Sequence, residues 1–371
     1  MDLADLLARF RAEPTLRFAP PEVALLAAAA DDDLDAARAF AFHAARSGDH
    51  ETTLRLARRI AELQPSSATL MNVAIALRHL GRFADARDWA LAHRDAIDPV
   101  ELSGFLCTMA AYSGDEAEAV RWGNESLRLR DAQASAVPPL DPVVRAFDPE
   151  RPERNIIAFS LWGADRRYLA GAMANVQVIP YLYPGWTPRF YVDGSVPEAA
   201  VAALMANGAQ AISVGNMPPD RYGMFWRLLV EDDENVDIFI VRDADSVCNV
   251  KERWAVSDWL RAGTAFHVMR DHPVHCELML GGMWGAHRGN IGRMGKRVGA
   301  FVNAARGRAN RAYDQEFLRR EIWPIARQSL TAHDSFFSLG EPRRYDPAFA
   351  LPRGMHIGQN EIGRIAGVVR G

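Results

Sequence analysis

Residues 237–247 read DIFIVRDADSV, and the fold of the second half of the chain turns on them. Ile238, Phe239, Ile240 and Val241 form a short apolar run rich in β-branched and aromatic side chains. Such a run predicts a strand buried in a parallel sheet. It ends abruptly in Asp243 and Asp245, one residue apart. In open α/β sheets, ligands gather just beyond the carboxyl ends of the strands. Two carboxylates at that point make a hard, oxygen-rich site suited to Mg²⁺ or Mn²⁺, and through the cation to a diphosphate. The same residues also read as a polar turn before a helix, with the aspartates or Ser246 as caps.

Working outward, the flanking texture supports a strand. NIIAFSLWG from Asn155 reads as a first strand ending in a small-residue turn, and helical sequence follows to about Val176. PRFYVDGS reads as a second strand, VPEAAVAALMANGA as a helix ended by Gly208, and QAISVGN as a third strand. RYGMFWRLLVEDDE reads as helical and leads into the fourth strand, DIFIVRDADS. Alternation with short links predicts a parallel, doubly wound sheet. TAFHVMRDHP, ELMLGGMWGAHRG and further helical sequence carrying YDQEFL and AHDSFF complete the region.

Upstream the texture differs. Residues 2 to about 131 are rich in Ala, Leu and Arg, with apolar residues at helical spacing, as in Val73, Ile75, Leu77 and Leu80. Gly48, Gly81 and Gly114 lie 33 residues apart, each between two amphipathic segments. Pro65 and Pro99, 34 apart, are expected to close second helices, and Ala57, Ala90 and Gly123 recur inside those helices. A helix pair cannot bury its face alone, so pairs stack, and small residues permit close approach. The pattern resembles the tetratricopeptide repeat over roughly residues 32–131, behind a capping helical region, although the consensus Trp and Tyr are mostly missing. An unspecialised helical bundle is the bland alternative. Residues 132–153 hold five prolines and no period, which marks a linker between a domain at 1–131 and one at 154–371.

Composition narrows the function. With 49% hydrophobic and 24% charged residues the chain is ordinary globular protein, long enough for two cored domains. Residues 1–150 carry 24 acids and 16 bases, for −8, and residues 151–371 carry 23 acids and 27 bases, for +4. The first part is therefore no nucleic-acid binder, and the second suits an anionic small molecule. No window is apolar enough to span a bilayer, and the N-terminus has acids where a signal peptide needs bases. Cys107, Cys248 and Cys276 show no metal or disulfide spacing, and read as reduced core thiols of a cytoplasmic protein.

FSLWGADRRY, YPGWTPRFYVDGSVP, YGMFWRLL, VRDADS, FHVMRDHPVH, LGGMWGAHRG and YDQEFL…IWP…HDSFF together resemble a bacterial glycosyltransferase domain of the GT-A type, over residues 155 to about 340. The resemblance implies a Rossmann-like, nucleotide-diphospho-sugar transferase α/β domain behind the α-helical repeats. It also implies a nucleotide-sugar donor, UDP-sugar favoured, with Mn²⁺ or Mg²⁺ as cofactor. It places Ser160, Trp162, Gly163, Tyr222, Arg227, Gly281 and Gly282 around that donor. The order of landmarks is similar to the retaining family that contains glycogenin and the lipopolysaccharide galactosyltransferases. On that order the cation is held by Asp243, Asp245 and His333, and Asp314 and Gln315 border the sugar. The segment LGGMWG departs from the family's Asn-containing form.

Residue by residue, a cation on Asp243, Asp245 and His333 would neutralise the diphosphate leaving group. Arg227 and the basic run Arg288, Arg293, Lys296, Arg297, Arg306, Arg308 and Arg311 are candidates for phosphate contact, or else form a solvated face. Asp271 is a candidate sugar-binding or general-base carboxylate, or an ion-paired structural Asp. Asp314–Gln315 also reads as the start of a helix, and Trp162 as a base-stacking or a core residue. A hydrolase using His267, Asp271, His272, His275 and Asp243 lacks the HExxH type of spacing. The expected function is sugar transfer to a protein or glycan acceptor, with the acceptor or a protein partner recruited by the repeats. A non-catalytic scaffold and another metal-dependent nucleotide enzyme, such as a nucleotidyltransferase, are the alternatives.

Overall fold

The computed structural model describes residues 2–13, 16–215, 223–305 and 313–360. The chain divides into two compact units, 1–129 and 130–371.

In the first unit, α1 (Leu3–Ala12) and α2 (Pro20–Ala29) precede three helical hairpins: α3 (Leu34–Ser47) with α4 (His50–Leu63), α5 (Ser67–His79) with α6 (Phe83–Ala92), and α7 (Pro99–Tyr112) with α8 (Glu116–Ala132). The 33-residue period is thus a period of hairpins. Gly48, Gly81 and Gly114 turn each hairpin at φ of 79°, 72° and 77°, a left-handed conformation that costs glycine nothing. Ala57 on α4 and Ala90 on α6 are buried among Leu54, Leu70, Leu77 and Leu106. Each such leucine contributes about 1.5–3 kcal/mol by leaving water. One expectation is corrected: Pro99 opens α7 rather than closing a helix. Its missing N–H falls where a helix has no internal acceptor to offer.

The second unit is a seven-stranded mixed sheet in the order β3-β2-β1-β4-β6-β5-β7. The strands are β1 (Asn155–Leu161), β2 (Thr187–Val192), β3 (Gln210–Ser213), β4 (Ile238–Arg242), β5 (Phe266–Arg270), β6 (Trp284–His287) and β7 (Leu330–Asp334). The first four follow the sequence reading, with α9 (Arg166–Leu182) and α10 (Glu198–Ala206) as crossovers and the 3₁₀ segment Gly223–Asp232 leading into β4. Two expectations change. The sheet is not wholly parallel, because β6 runs antiparallel to both β4 and β5. AHDSFF is not helical, since its first residues lie in β7, paired with β5.

All residues of β1, β4, β5 and β6 are buried. This explains why DIFIV reads as one continuous apolar run. Phe159 on β1 stacks on Phe190 of β2 at 4.7 Å between centroids, inside a core that Val176, Ile179 and Ile240 complete. The helix after β4, α11 (Val250–Ala262), is capped by Asn249, whose side chain accepts from Lys251 and Glu252 N–H, not by Ser246. Downstream come α12 (Met294–Ala305), α13 (Tyr313–Phe317), a π-helical turn Leu318–Ile322 and α14 (Trp323–Ala326).

The proline-rich stretch is a strap fastened to the second unit. Leu140 N–H donates to Gln328 at 2.8 Å. Asn290 exchanges hydrogen bonds of 2.9 and 2.8 Å with the backbone of Val143. Prolines suit this role because an extended chain with few free donors loses little entropy on docking. Among the described residues, no helix is long and apolar enough to cross a membrane.

Candidate functional site

Strand order reverses between β1 and β4, which makes the carboxyl ends of these two strands the switch point where α/β proteins place ligands. The turn Asp243–Ala244–Asp245 sits there. Its close packing depends on Gly171 in α9: a Cβ at that position would collide with the Ala244 carbonyl and lie 2.8 Å from Asp245 Cα. A glycine in mid-helix lowers helix stability by about 1 kcal/mol relative to alanine, so its presence needs such a reason.

Arg227 organises the site. It is buried, its backbone N–H donates to Ser160 Oγ at 2.9 Å, and its guanidinium donates to the Arg242 carbonyl at 3.0 Å. The same guanidinium pairs with Asp243 and, at 2.8 Å, with Asp314. Burial opposes its charge, but Asp243 and Asp314 outweigh that and hold its pKa above the usual arginine value. Asp243 keeps 45% of its side chain exposed, against 9% for Asp314. Burial, then the charge of Asp243, raises Asp245 above the usual carboxylate range. Burial also raises Asp314, against the pull of Arg227 and with Asp243 adding to the rise. Two carboxylates pushed up beside a third mark a place short of positive charge.

Gly281 and Gly282 wall this cluster. A Cβ on Gly281 would collide with the Asp314 carboxylate and lie 2.9 Å from Arg227 Nη2. One on Gly282 would collide with the Asp243 carboxylate and come within 2.8 Å of its backbone nitrogen. The antiparallel course of β6 delivers this glycine pair against the β4 turn.

The other predicted residues divide. Trp162 is half-buried against the Gly223 backbone, which lies on its ring, and meets Trp226 edge-on at 6.0 Å. Gly163 turns at φ 71° and donates its N–H to Ser195 at 2.7 Å. Gln315 follows Asp314 on α13, and its N–H donates to Asp314 Oδ1 at 2.9 Å. Tyr222, Arg306, Arg308 and Arg311 lie outside the described residues. Of the basic run, Arg288 is spent on the Val236 carbonyl at 2.7 Å, and Arg297 lies 3.6 Å from Glu321.

His333 is not gathered with the aspartates. It is fully buried in β7, with Nδ1 2.9 Å from His267 Nε2 and Nε2 3.2 Å from Asp258. Burial drops its pKa to about 4, although Asp258 pulls upward. Among the described residues, no three His, Cys, Asp or Glu side chains converge on one cation position. The retaining order of landmarks fails at this residue. The two aspartates still fit a cation that is shared with phosphate oxygens, since Mg²⁺ is commonly held by one or two carboxylates and the ligand rather than by a protein cage.

For Asp271 the structure favours the ion-paired alternative over the base. Lys251 and Ser335 both donate to its Oδ1, and Ile357 N–H donates to Oδ2 at 2.9 Å. With 2% of its side chain exposed it is an ion-paired anchor rather than a free base. What it anchors was not visible in the sequence pattern. Residues 356–360 return over the site: Gly358 packs on Met283, Asn360 Nδ2 donates to Asp245 at 3.1 Å, and Ser246 bridges to Asn360. The one signal was the dense MHIGQN after a proline-rich tail, which lacks any period that would mark it.

No protein-family model matches the chain, and no curated protein matches it. Among solved structures, a mutant O-GlcNAc transferase from Thermobaculum terrenum is similar at a TM-score of 0.38 and 17% identity. The match covers 65% of this chain and 45% of that one, less than half of that protein's length.

Proposed function

We propose that the protein is a cation-assisted glycosyltransferase of GT-A arrangement, moving a sugar from a nucleotide-sugar donor to a protein or glycan acceptor. One observation carries the reading: Asp243, Asp245 and Asp314 gather around buried Arg227 at the switch point between β1 and β4. A carboxylate cluster at a sheet's ligand edge suits a diphosphate only through a cation. Asp243 and Asp245 would hold Mn²⁺ or Mg²⁺, which supplies Lewis-acid neutralisation of the departing diphosphate.

The chain's own residues do the rest. Arg227 keeps Asp243 oriented through their ion pair, and holds Asp314 beside it. Gly281 and Gly282 let the backbone before β6 pack directly on Asp314 and Asp243, because a Cβ at either position would collide with those carboxylates and push them out of place. Gln315, next to Asp314, is placed to border the sugar, and the anomer of the product tests whether configuration is retained. Ser160 near the end of β1 and Gly163 in the turn after it lie where the nucleotide is expected. In the helical unit, a recess of about 480 Å³ lined by Phe42, Ala45, Thr53, Ile60, Asn72 and His79 is the surface proposed for an acceptor or partner protein.

The test is release of nucleotide from a panel of UDP-sugars with Mn²⁺. Asp243→Asn is expected to slow it at least about 100-fold, comparable to losing a preorganised charge contact in other active sites. Full activity in Asp245→Ala, or in EDTA, overturns the reading.

A further inference from the structure

Around residues 356–360, which reach Asp245 through Asn360, stands a group of three imidazoles without a task in the proposed reaction. Ring centroids of His272 and His356 lie 4.4 Å apart, those of His275 and His356 5.1 Å, and those of His272 and His275 5.7 Å. The spacing invites a metal, but the backbone argues otherwise. Asp271 N–H donates to His275 Nδ1 at 3.1 Å, and Val274 N–H donates to His272 Nδ1 at 3.2 Å. A backbone N–H can only donate, so both Nδ1 atoms carry lone pairs, and the ring proton of each neutral imidazole is on Nε2. Metal-binding histidines show the opposite arrangement, donating one ring N–H to an acceptor and ligating through the other nitrogen.

His356 is oriented the other way. Its Nδ1 lies 2.8 Å from the Ile357 carbonyl, which can only accept, so Nδ1 carries a proton and, in the neutral ring, the lone pair is on Nε2. The trio therefore presents two N–H donors and one acceptor. Among the described residues, none of the three Nε2 atoms has a hydrogen-bond partner. His272 and His356 are half-buried, and His275 is buried behind them. Burial and the neighbouring imidazoles keep His272 and His275 neutral, with the pKa of His272 lowered to about 4.

We propose that His272, His275 and His356 form a hydroxyl-binding subsite for a neutral sugar ring at the edge of the Asp243–Asp245 turn. Neutral donors beside an acceptor match hydroxyl groups, each of which donates and accepts, and give no charge to attract a phosphate. Placement supports it: His356 adjoins Ile357, held by Asp271, and lies four residues before Asn360, which reaches Asp245. This inference rests on the glycosyltransferase reading, and the hydroxyls belong either to the donor sugar or to a sugar acceptor.

The experiment uses the full chain with Mn²⁺, measuring calorimetric affinity for UDP, UDP-glucose, UDP-galactose and UDP-N-acetylglucosamine. Donor turnover is also measured with and without methyl glucosides as acceptor probes. His272→Phe and His356→Phe keep an aromatic ring and lose the polar nitrogen, and His356→Gln restores an acceptor. If the trio reads the donor sugar, both Phe variants weaken the best UDP-sugar about tenfold, the loss of a hydrogen bond or two, with UDP affinity kept and partial rescue by His356→Gln. If it reads an acceptor sugar, donor affinity stays and the stimulation by methyl glucosides disappears. Unchanged UDP-sugar affinity together with unchanged stimulation overturns the subsite alone, as does an equal loss for UDP and UDP-sugar. A wild-type chain that binds neither UDP nor any UDP-sugar overturns the glycosyltransferase reading and the subsite with it.

Discussion

The same dipeptide, Arg–Asp, ends two parallel strands of the sheet: Arg242–Asp243 on β4 and Arg270–Asp271 on β5. In both, the arginine is buried and paired behind the edge, Arg242 with Glu252 at 3.3 Å and Arg270 with Asp334 at 2.6 Å. The aspartates part company. Asp243 is half-open, held on one side by Arg227 and walled by Gly282. Asp271 is closed off by Lys251, Ser335 and the Ile357 N–H. One strand end is kept open for a ligand, and the other is spent on docking the segment that covers it. Identical local sequence thus yields a candidate site or an anchor according to what the rest of the chain brings to it.

The largest expected effect breaks that comparison at the anchor. Asp271→Ala leaves the Lys251 ammonium largely buried and unpaired and frees residues 356–360. A loss of about 3–5 kcal/mol in urea denaturation is expected, as for other broken buried pairs. Asp243→Ala, by contrast, removes a half-exposed carboxylate and is expected to abolish donor turnover while costing far less stability. Equal destabilisation by the two substitutions would erase the distinction between site and anchor.

Acid tests the buried histidines behind and beside these strands. Burial lowers His287 and His333 to about 4. Their folded pKa values lie below the unfolded value near 6.5, so between pH 6.5 and 4 the unfolded chain binds more protons. The stability they contribute is present above 6.5 and is lost as pH falls through 4. A decline on the order of 3 kcal/mol for each histidine over that window is expected in pH-dependent thermal melts. His333→Gln should remove about half of it, the share of His287 remaining, and leave UDP-sugar affinity unchanged; lost Mn²⁺-dependent binding in that variant would return His333 to the cation site.

The smallest effect sharpens the open side. Gly282→Ala forces a methyl against Asp243, and a cost of about 1–2 kcal/mol is expected from the strain. Donor turnover should fall more steeply than stability, because the displaced carboxylate is the one proposed to hold the cation. A turnover loss no larger than the stability loss would count against Asp243.

Much of this was legible in residue order. Period-two and continuous apolar runs report burial directly, so β1 to β4 and the hairpins turned by Gly48, Gly81 and Gly114 could be read one segment at a time. Arg227, Asp314, Gly281 and Gly282 were named from motif order, and the fold brings them together. His333 was misplaced because order along the chain says nothing about which face of β7 it occupies. For Asp271 the sequence leaves a base and an ion-paired role both open, because the partners that decide between them, Lys251, Ser335 and Ile357, come from three separate segments. Gly171, His356 and Asn360 escaped for the same reason, since each acts through a contact remote in sequence.

What the sequence determined by itself is therefore local: helical hairpins at a fixed period, an α/β sheet after a proline-rich stretch, and two aspartates at a strand's end. What only the tertiary structure decided is the company those residues keep. The antiparallel turn of β6 brings two glycines against two carboxylates, and residues 356–360 come back over the edge. Hydrophobic burial acts on each segment's own composition and so leaves a periodic signature. Polar networks are built from residues far apart in the chain, where directional hydrogen bonds and ion pairs fix geometry without imposing any period.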